Sequence, residues 1–365
     1  MTITVQNKEY KISRYPETKS TSLHAWSAAD EHIIKYVQEN EIVPKASIIY
    51  NDRFGYLSCM LNELNPFVVI NYKSQEKACH LNLRANNLPI AEEKFLSPLA
   101  PLPKNLEIAL IKIPKSLDLF RMFLNQLSAA LTDEAIVVCA FMTRHFTPGM
   151  LNVAAEFFEE SEQSKAWKKS RLLILRKKKT PKEISLLNSI KFNDSINLRQ
   201  YFGVFSAGKI DNASLLFIDR LKIKTSEERV LDLGSGNGVL SMAVREQNIN
   251  CELHLIDDSF LAVESSKLNL APENTYFYYN DCLDNFKDHF FDLVVSNPPF
   301  HFEHENNIEI SLALFKAVKR CLKKGGRFLL VANRHINYKT HLLKMFKAVK
   351  INAGTKKIVL YECSK

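Results

Sequence analysis

Residues 230–244 read VLDLGSGNGVLSMAV: an apolar run, glycines on alternate positions at 234, 236 and 238, then an amphipathic stretch. The run is a buried strand and the stretch has helical periodicity, so the glycines fill the turn between them. Glycine there permits positive φ and close approach of a ligand, and the start of the helix offers free N–H groups. The same alternation continues. Apolar segments at 229–233, 252–257, 275–280, 291–296 and 327–332 are separated by helical patterns, and 356–361 reads as a terminal strand. This predicts an α/β chain with parallel strands and helices on both faces.

At 365 residues the chain is longer than one core fills, which predicts two domains, 1–190 and 191–365. Comparing the halves reveals a faint repeat. The strand 46–50 with its turn Asn51-Asp52-Arg53-Phe54-Gly55 parallels 229–233 with its glycine turn, and 73–86 parallels 259–270. Further on, ALIKIPKSLDLF (109–120) parallels LVVSNPPFHFEH (293–304). One glycine of three remains in the first turn, and Lys112, Pro114 and Lys115 stand where Asn297, Pro299 and Phe300 stand in the second copy. The reading is a duplicated domain whose first copy kept its framework and lost its site. Residues 1–45 form an amphipathic lead-in.

No stretch reaches the ~20 apolar residues of a membrane helix, and MTITVQNKEYK lacks the layout of a signal peptide, so a cytoplasmic protein with no membrane partner is expected. Seven scattered cysteines form no C-x-x-C, which suggests neither a disulfide framework nor a metal site. They are expected as reduced thiols in or near the cores. The net charge of +9 tolerates a polyanionic partner without requiring one. A local excess lies at 165–182, KAWKKSRLLILRKKKTPK, with nine basic residues and no acidic one. It reads either as a solvated strand edge and charged linker, or as a phosphate-contacting patch in which Lys168, Lys169 and Arg171 meet a nucleic-acid backbone beside Trp167.

The glycine turn by itself also suits a tight turn or a dinucleotide site, which normally reads G-x-G-x-x-G. Asp232, just before Gly234, favours an S-adenosylmethionine site, because a carboxylate there can hold the cofactor's amino group. Asp257 ends the next strand, where an acid can accept both hydroxyls of an adenosine ribose, with Asp258 as its neighbouring competitor. The third strand ends in Asn280-Asp281-Cys282, where Asp281 is placed to accept from the adenine amino group. Singly these acids would read as helix caps or surface residues. In order at successive strand ends, they outline a nucleoside site.

SNPPFH (296–301) follows the apolar strand FDLVV. Pro-Pro can simply end a strand, but the position, after three cofactor-type strand ends, points to chemistry. An exocyclic base amine is a poor nucleophile because its lone pair is delocalised into the ring. The Asn297 side-chain oxygen and the Pro298 carbonyl can each accept one of its N–H groups, directing the lone pair at the sulfonium methyl, while Phe300 offers a stacking face. Transfer then depends on positioning and electrostatics, and a base stacked in a helix must first be flipped out. Guanine, adenine and a glutamine side chain all satisfy this logic.

Across nearly the whole chain the sequence resembles the bacterial ribosomal RNA guanine-N2 methyltransferases, the large-subunit (23S) type more closely than the small-subunit (16S) type. The resemblance is carried by LHAWSAADE (23–31), NDRFGYLSC (51–59), LIKIPKSL (110–117), AWKKSRLL (166–173), GVFSAGKID (203–211), LDLGSGNGV, SNPPFH and VANRHINY (331–338). It implies two tandem class I, Rossmann-like methyltransferase domains, the N-terminal one degenerate and serving RNA binding. It further implies ribosomal RNA as substrate, protein-free or early in assembly, a guanine 2-amino target, and the segment 203–211 over the cofactor with Phe205 and Ser206 near the substrate. The family's usual glycine after Asp211 and Asn212 is Ala213 here, a small loss of loop freedom. An adenine-amino methyltransferase, a 16S enzyme and a non-catalytic RNA-binding factor are the competing readings.

Overall fold

A computed structural model describes residues 2–5, 8–18, 23–206, 208–298 and 308–365. The chain forms two compact units, Met1–Leu186 and Leu187–Lys365. A break at 190 would cut the strand Leu187–Lys191, which pairs antiparallel with Asn197–Tyr201 and so belongs to the second unit.

The second unit is built on a seven-stranded sheet in the order Thr275–Tyr279, Glu252–Asp257, Arg229–Leu233, Phe291–Ser296, Leu322–Asn333, Ile358–Ser364, Ala348–Gly354. Its first five strands are parallel, as the alternation of apolar and helical segments predicts. The last two pairings are antiparallel, because Ile358–Ser364 runs against both its neighbours, a departure from an all-parallel sheet. Ile358–Ser364 follows Ala348–Gly354 after three residues, too few for a crossover, so the pair must form a hairpin. Both faces are covered, and the side-chain alternation of the central strands divides them. Val230, Leu253, Leu255, Leu293 and Val295 pack with Phe217 and Val244 on one face. Leu231, Ile256 and Val294 pack with Phe315, Val318 and Leu342 on the other.

The first unit has the same seven-stranded order: Phe95–Leu96, Phe67–Val69, Ser47–Tyr50, Leu106–Lys112, Leu131–Met142, Ser170–Lys178, Phe158–Gln163. Each strand takes the place of one in the second unit. A bulge fixes the register between copies, falling between Leu106 and Ile108 in one and between Phe291 and Leu293 in the other. Counting from it puts Lys112 at the position of Asn297, one residue away from laying 109 directly on 293.

The same ladders show what the first copy lost. Ile49 pairs with Leu110 as Asp232 pairs with Val295, so buried Ile49 holds the register of Asp232. Buried Ile70, the residue after Val69, holds that of Asp257, the residue after Ile256. The helix tie survives: Asp52 accepts the backbone N–H and hydroxyl of Ser58, both at 2.8 Å, as Asp232 accepts those of Ser241. Gly55 and Gly238, each three residues before its serine, both cap their helices in the left-handed conformation.

The basic strand Ser170–Lys178 lies inside its sheet, paired on both sides, and Phe158–Gln163 is the edge, so the solvated-edge reading of 165–182 does not hold. The seven cysteines are free, and all but the half-buried Cys282 are buried.

Candidate active site

Three parallel strands end together in the second unit, and the sequence-predicted acids and glycines gather at those ends. Gly234, Gly236 and Gly238 all take positive φ, at 72°, 56° and 82°. At Gly238 a Cβ would come within 3.0 Å of Leu270 and 3.2 Å of Ser266, so close helix packing demands glycine. At Gly236 a Cβ would meet nothing within 4 Å: that side of the turn is open space. Gly236 donates its backbone N–H to Asp257 Oδ2 at 2.9 Å, and Ser259 donates its own to Oδ1 at 2.8 Å. Burial nevertheless pushes the Asp257 carboxyl up to about 6, against those two bonds and with help from Asp258.

Asp232 is 1% exposed and accepts the backbone N–H of Ser241 at 3.1 Å and its hydroxyl at 2.7 Å, both through Oδ2. Its Oδ1 is buried with no hydrogen-bond partner, as is Oγ of Ser235 in the turn. Burial pushes the Asp232 carboxyl up to about 7. A buried acceptor left unpaired costs stability unless a donor arrives. An orphaned carboxylate oxygen, an orphaned hydroxyl and a glycine facing open space suit a ligand that carries an amino group. Asp281 is half buried after the third strand, and its backbone N–H is held by Asn280 Oδ1 at 3.0 Å.

Asn297 follows the strand Phe291–Ser296, and Ser296 Oγ donates to Leu233 O at 2.6 Å, tying this strand end to the one that opens the glycine turn. The Asn297 amide nitrogen donates to Ser214 Oγ at 2.9 Å and to both carboxylate oxygens of Asp211, at 3.2 and 3.4 Å. Pro298 is buried; Phe300 and Pro299 lie outside the described residues. Asp211 caps the helix Asn212–Arg220, accepting the N–H groups of Ala213 and Ser214. Alanine at 213 therefore sits in a first helical turn, where it suits the backbone well.

The segment before that helix is anchored to the turn by residues that sequence reasoning missed. Fully buried Gln200 accepts from the Asn237 amide at 2.8 Å and donates to Val204 O at 3.3 Å. Asn269 donates to Asn237 O at 2.9 Å. Phe205 is 71% exposed, and Ser206, at φ 65°, donates to Lys209 O. No local pattern marks Gln200 or Ser214, and the family pattern that includes Asp211 does not show its partner, because each acts on a residue more than thirty positions away.

Lys168, Lys169 and Arg171 lie in the first unit, and all three are exposed. Lys168 pairs with Glu31 at 2.8 Å and stands 4.6 Å from the centroid of Trp167. Lys177 pairs with Glu160 and Lys178 with Asp133, so part of the local charge is already balanced.

The profile described as the RLMG N-terminal domain matches residues 1–182, and that of the methyltransferase small domain matches residues 195–362. The ribosomal RNA large subunit methyltransferase G of Pseudoalteromonas translucida is 31% identical over 369 residues, covering 98% of this chain and 97% of its own. Its counterpart in Psychromonas ingrahamii is 30% identical over 378 residues, covering 100% and 98%. A solved structure of the T. thermophilus 16S rRNA N2 methyltransferase RsmC, in complex with AdoMet and guanosine, is 18% identical, with a TM-score of 0.78. It covers 100% of this chain and 97% of its own, which establishes the shared tandem fold. With both domain profiles in order and 31% identity through 98% of its length, the chain belongs to the family of the ribosomal RNA large subunit methyltransferase G proteins.

Proposed function

We propose that the second unit methylates the exocyclic 2-amino group of a guanine in 23S rRNA. Family membership makes the chain an S-adenosylmethionine-dependent methyltransferase. The observation that carries the finer reading is the placement of Asn297 at a strand end tied directly to the glycine turn through Ser296 and Leu233. The amide is thus beside the place where a methyl donor would lie. The 23S substrate is supported by the names of the relatives, and guanine by the sequence resemblance.

Asp232 and Ser235 would hold the cofactor's amino group and Asp257 its ribose, with Asp281 near the adenine. When bound, S-adenosylmethionine supplies an electrophilic sulfonium methyl. Asn297 Oδ1 and the Pro298 carbonyl accept the two N–H groups of the target amine. That holds the nitrogen pyramidal and gives its lone pair a direction. No strong base is needed for this. The amine's extra proton is shed to water after transfer, because a methylated aniline-like nitrogen holds it weakly. Exposed Phe205, carried by the segment tied to the turn through Gln200, would meet the base. The first unit, with Lys168, Lys169 and Arg171, supplies RNA affinity, on protein-free or early-assembly RNA in the cytoplasm.

The test is mass spectrometry of 23S and 16S rRNA from a deletion strain. Loss of one N2-methylguanosine from 23S rRNA is expected; loss of a methyladenosine, of a 16S mark or of neither would overturn the assignment. In the purified protein, Asn297→Ala should abolish transfer and leave cofactor affinity nearly unchanged.

A further inference from the structure

We infer that Asp211 and Ser214 are positioning residues for methyl transfer: they take the NH2 of Asn297 and so fix which face of its amide meets the substrate. This rests on the role proposed for Asn297 and adds what makes that role attainable.

An asparagine amide presents an acceptor on one side and two donors on the other, and a half-turn exchanges them. Only the acceptor is useful to an amine whose N–H groups must be received. Something has to choose the face. Asp211 is an acceptor through both oxygens. Ser214 has a single hydroxyl proton, and it is given to Asp211 Oδ2 at 2.6 Å, so toward Asn297 this hydroxyl can only accept. A flipped amide would set its oxygen against three oxygens that have no proton to offer. Both neighbours therefore require Nδ2, and Oδ1 is turned away from them. Among the described residues no donor is bonded to that oxygen.

The lock is itself held in place. Asp211 Oδ1 receives the N–H of Ala213 at 2.9 Å and of Ser214 at 3.2 Å, so the carboxylate is fixed by the start of the helix Asn212–Arg220. Ser214 is 2% exposed.

The first unit supplies an independent comparison, because it holds the same device with the residues exchanged. Ser27 caps the helix Ala28–Glu39, and its hydroxyl donates to Asp30 Oδ2 at 2.7 Å. Lys112, at the register of Asn297, donates to that same oxygen at 3.1 Å. In both units a serine–aspartate pair at a helix start receives a donor from the end of the same strand. The difference lies in what remains beyond the donor. Behind the amide nitrogen of Asn297 stands a carbonyl oxygen; behind the ammonium of Lys112 there is no acceptor at all. A lysine there satisfies the acid and leaves nothing that could receive an amine.

The decisive variant is Asp211→Asn in the full chain. Asparagine caps helices as well as aspartate, so the fold and the melting temperature should be retained, but residue 211 then offers a donor as readily as an acceptor and the face of Asn297 is no longer imposed. With protein-free 23S rRNA transcript and radiolabelled S-adenosylmethionine, kcat should fall about a hundredfold, the scale of a misplaced reacting group. The KM for RNA and the Kd for the cofactor should stay within about twofold of wild type, as expected for an interaction made only in the transition state. Ser214→Ala should give a smaller fall with the same signature. A wild-type kcat in Asp211→Asn, or a loss confined to cofactor affinity, would overturn the inference.

A second readout does not need turnover. In protein labelled with 15N-asparagine, the side-chain NH2 pair that disappears in Asn297→Ala should be shifted and protected from exchange, and Asp211→Asn should abolish both features. An unprotected pair, or one that Asp211→Asn leaves unchanged, sinks the lock. If wild-type protein labels neither 23S nor 16S transcript, the proposed substrate fails, and this spectrum still decides the orientation.

Discussion

Gly236 donates its backbone N–H to the Asp257 carboxylate across 2.9 Å, closing the glycine turn against the end of the neighbouring strand. This sets the half-buried Asp257 carboxyl in one site with the buried Asp232 carboxyl, and both are pushed well above the ordinary value of 3.8, to about 6 and about 7.

Those shifts predict proton release on cofactor binding. An ammonium group and ribose hydroxyls both favour ionised carboxylates, so between about pH 5 and pH 7 binding must expel protons that the free protein holds. Affinity should weaken as pH falls below about 7. Calorimetry in buffers of different ionisation enthalpy should show the release, and Asp232→Asn should remove most of it. Protein stability runs the other way. The unfolded chain gives up these protons at lower pH than the folded one, so the contribution of both groups declines as pH rises from about 4 through 7.

The two inner glycines should fail differently. Gly238→Ala combines a left-handed backbone with contacts of 3.0 and 3.2 Å, and should cost roughly 2 to 4 kcal/mol of stability. Gly236→Ala meets open space, and should cost only the backbone term of roughly 1 to 2 kcal/mol while lowering cofactor affinity more sharply. Denaturant melts beside cofactor titrations separate the two.

Arg327 and Glu227 form a buried two-point pair at 2.7 and 2.9 Å, with side chains 9% and 5% exposed. Glu227→Ala removes both of those bonds and leaves the guanidinium to Glu362 at 3.3 Å and Lys222 O at 2.8 Å, and should destabilise the second unit by about 3 kcal/mol, while replacing Arg327 and Glu227 together by apolar residues should recover much of that. Urea denaturation of the three variants measures it.

For RNA binding, Lys169→Ala with Arg171→Ala should weaken affinity for rRNA and flatten its salt dependence by about 0.7 in log–log slope per lost phosphate contact. Lys178→Ala, whose ammonium already meets Asp133 and Leu131 O, should change the slope less. Filter binding between 50 and 200 mM salt decides, as the range over which such contacts are read out, and equal slopes in both variants would remove the patch from the interface.

How far the sequence could be read depended on how local each feature is. The strands around the turn were legible because each is a continuous apolar run. The edge strand Ala348–Gly354 was not, because its mostly exposed residues carry no apolar pattern. Likewise Leu322–Asn333 extends five residues before the expected 327, through a polar LKKGG segment that reads as a turn. The basic strand Ser170–Lys178 looked like an edge from its charge, but partners on both sides leave it inside the sheet.

Alternating apolar segments, three glycines and the acids that follow them were enough, by themselves, to determine the α/β class and the duplication, and to single out Asp232, Asp257 and Asn297 as candidates for the site. Those signals lie within a strand and its turn, where neighbours in sequence are neighbours in space. Only the tertiary structure decided that Ile49 and Ile70 replace the acids in the first copy, because the ladders that align them bring together distant segments. It also decided which face Asn297 presents. Asp211 lies 86 residues away in the chain, and a hydrogen bond over that separation exists only once the helix and the strand have packed.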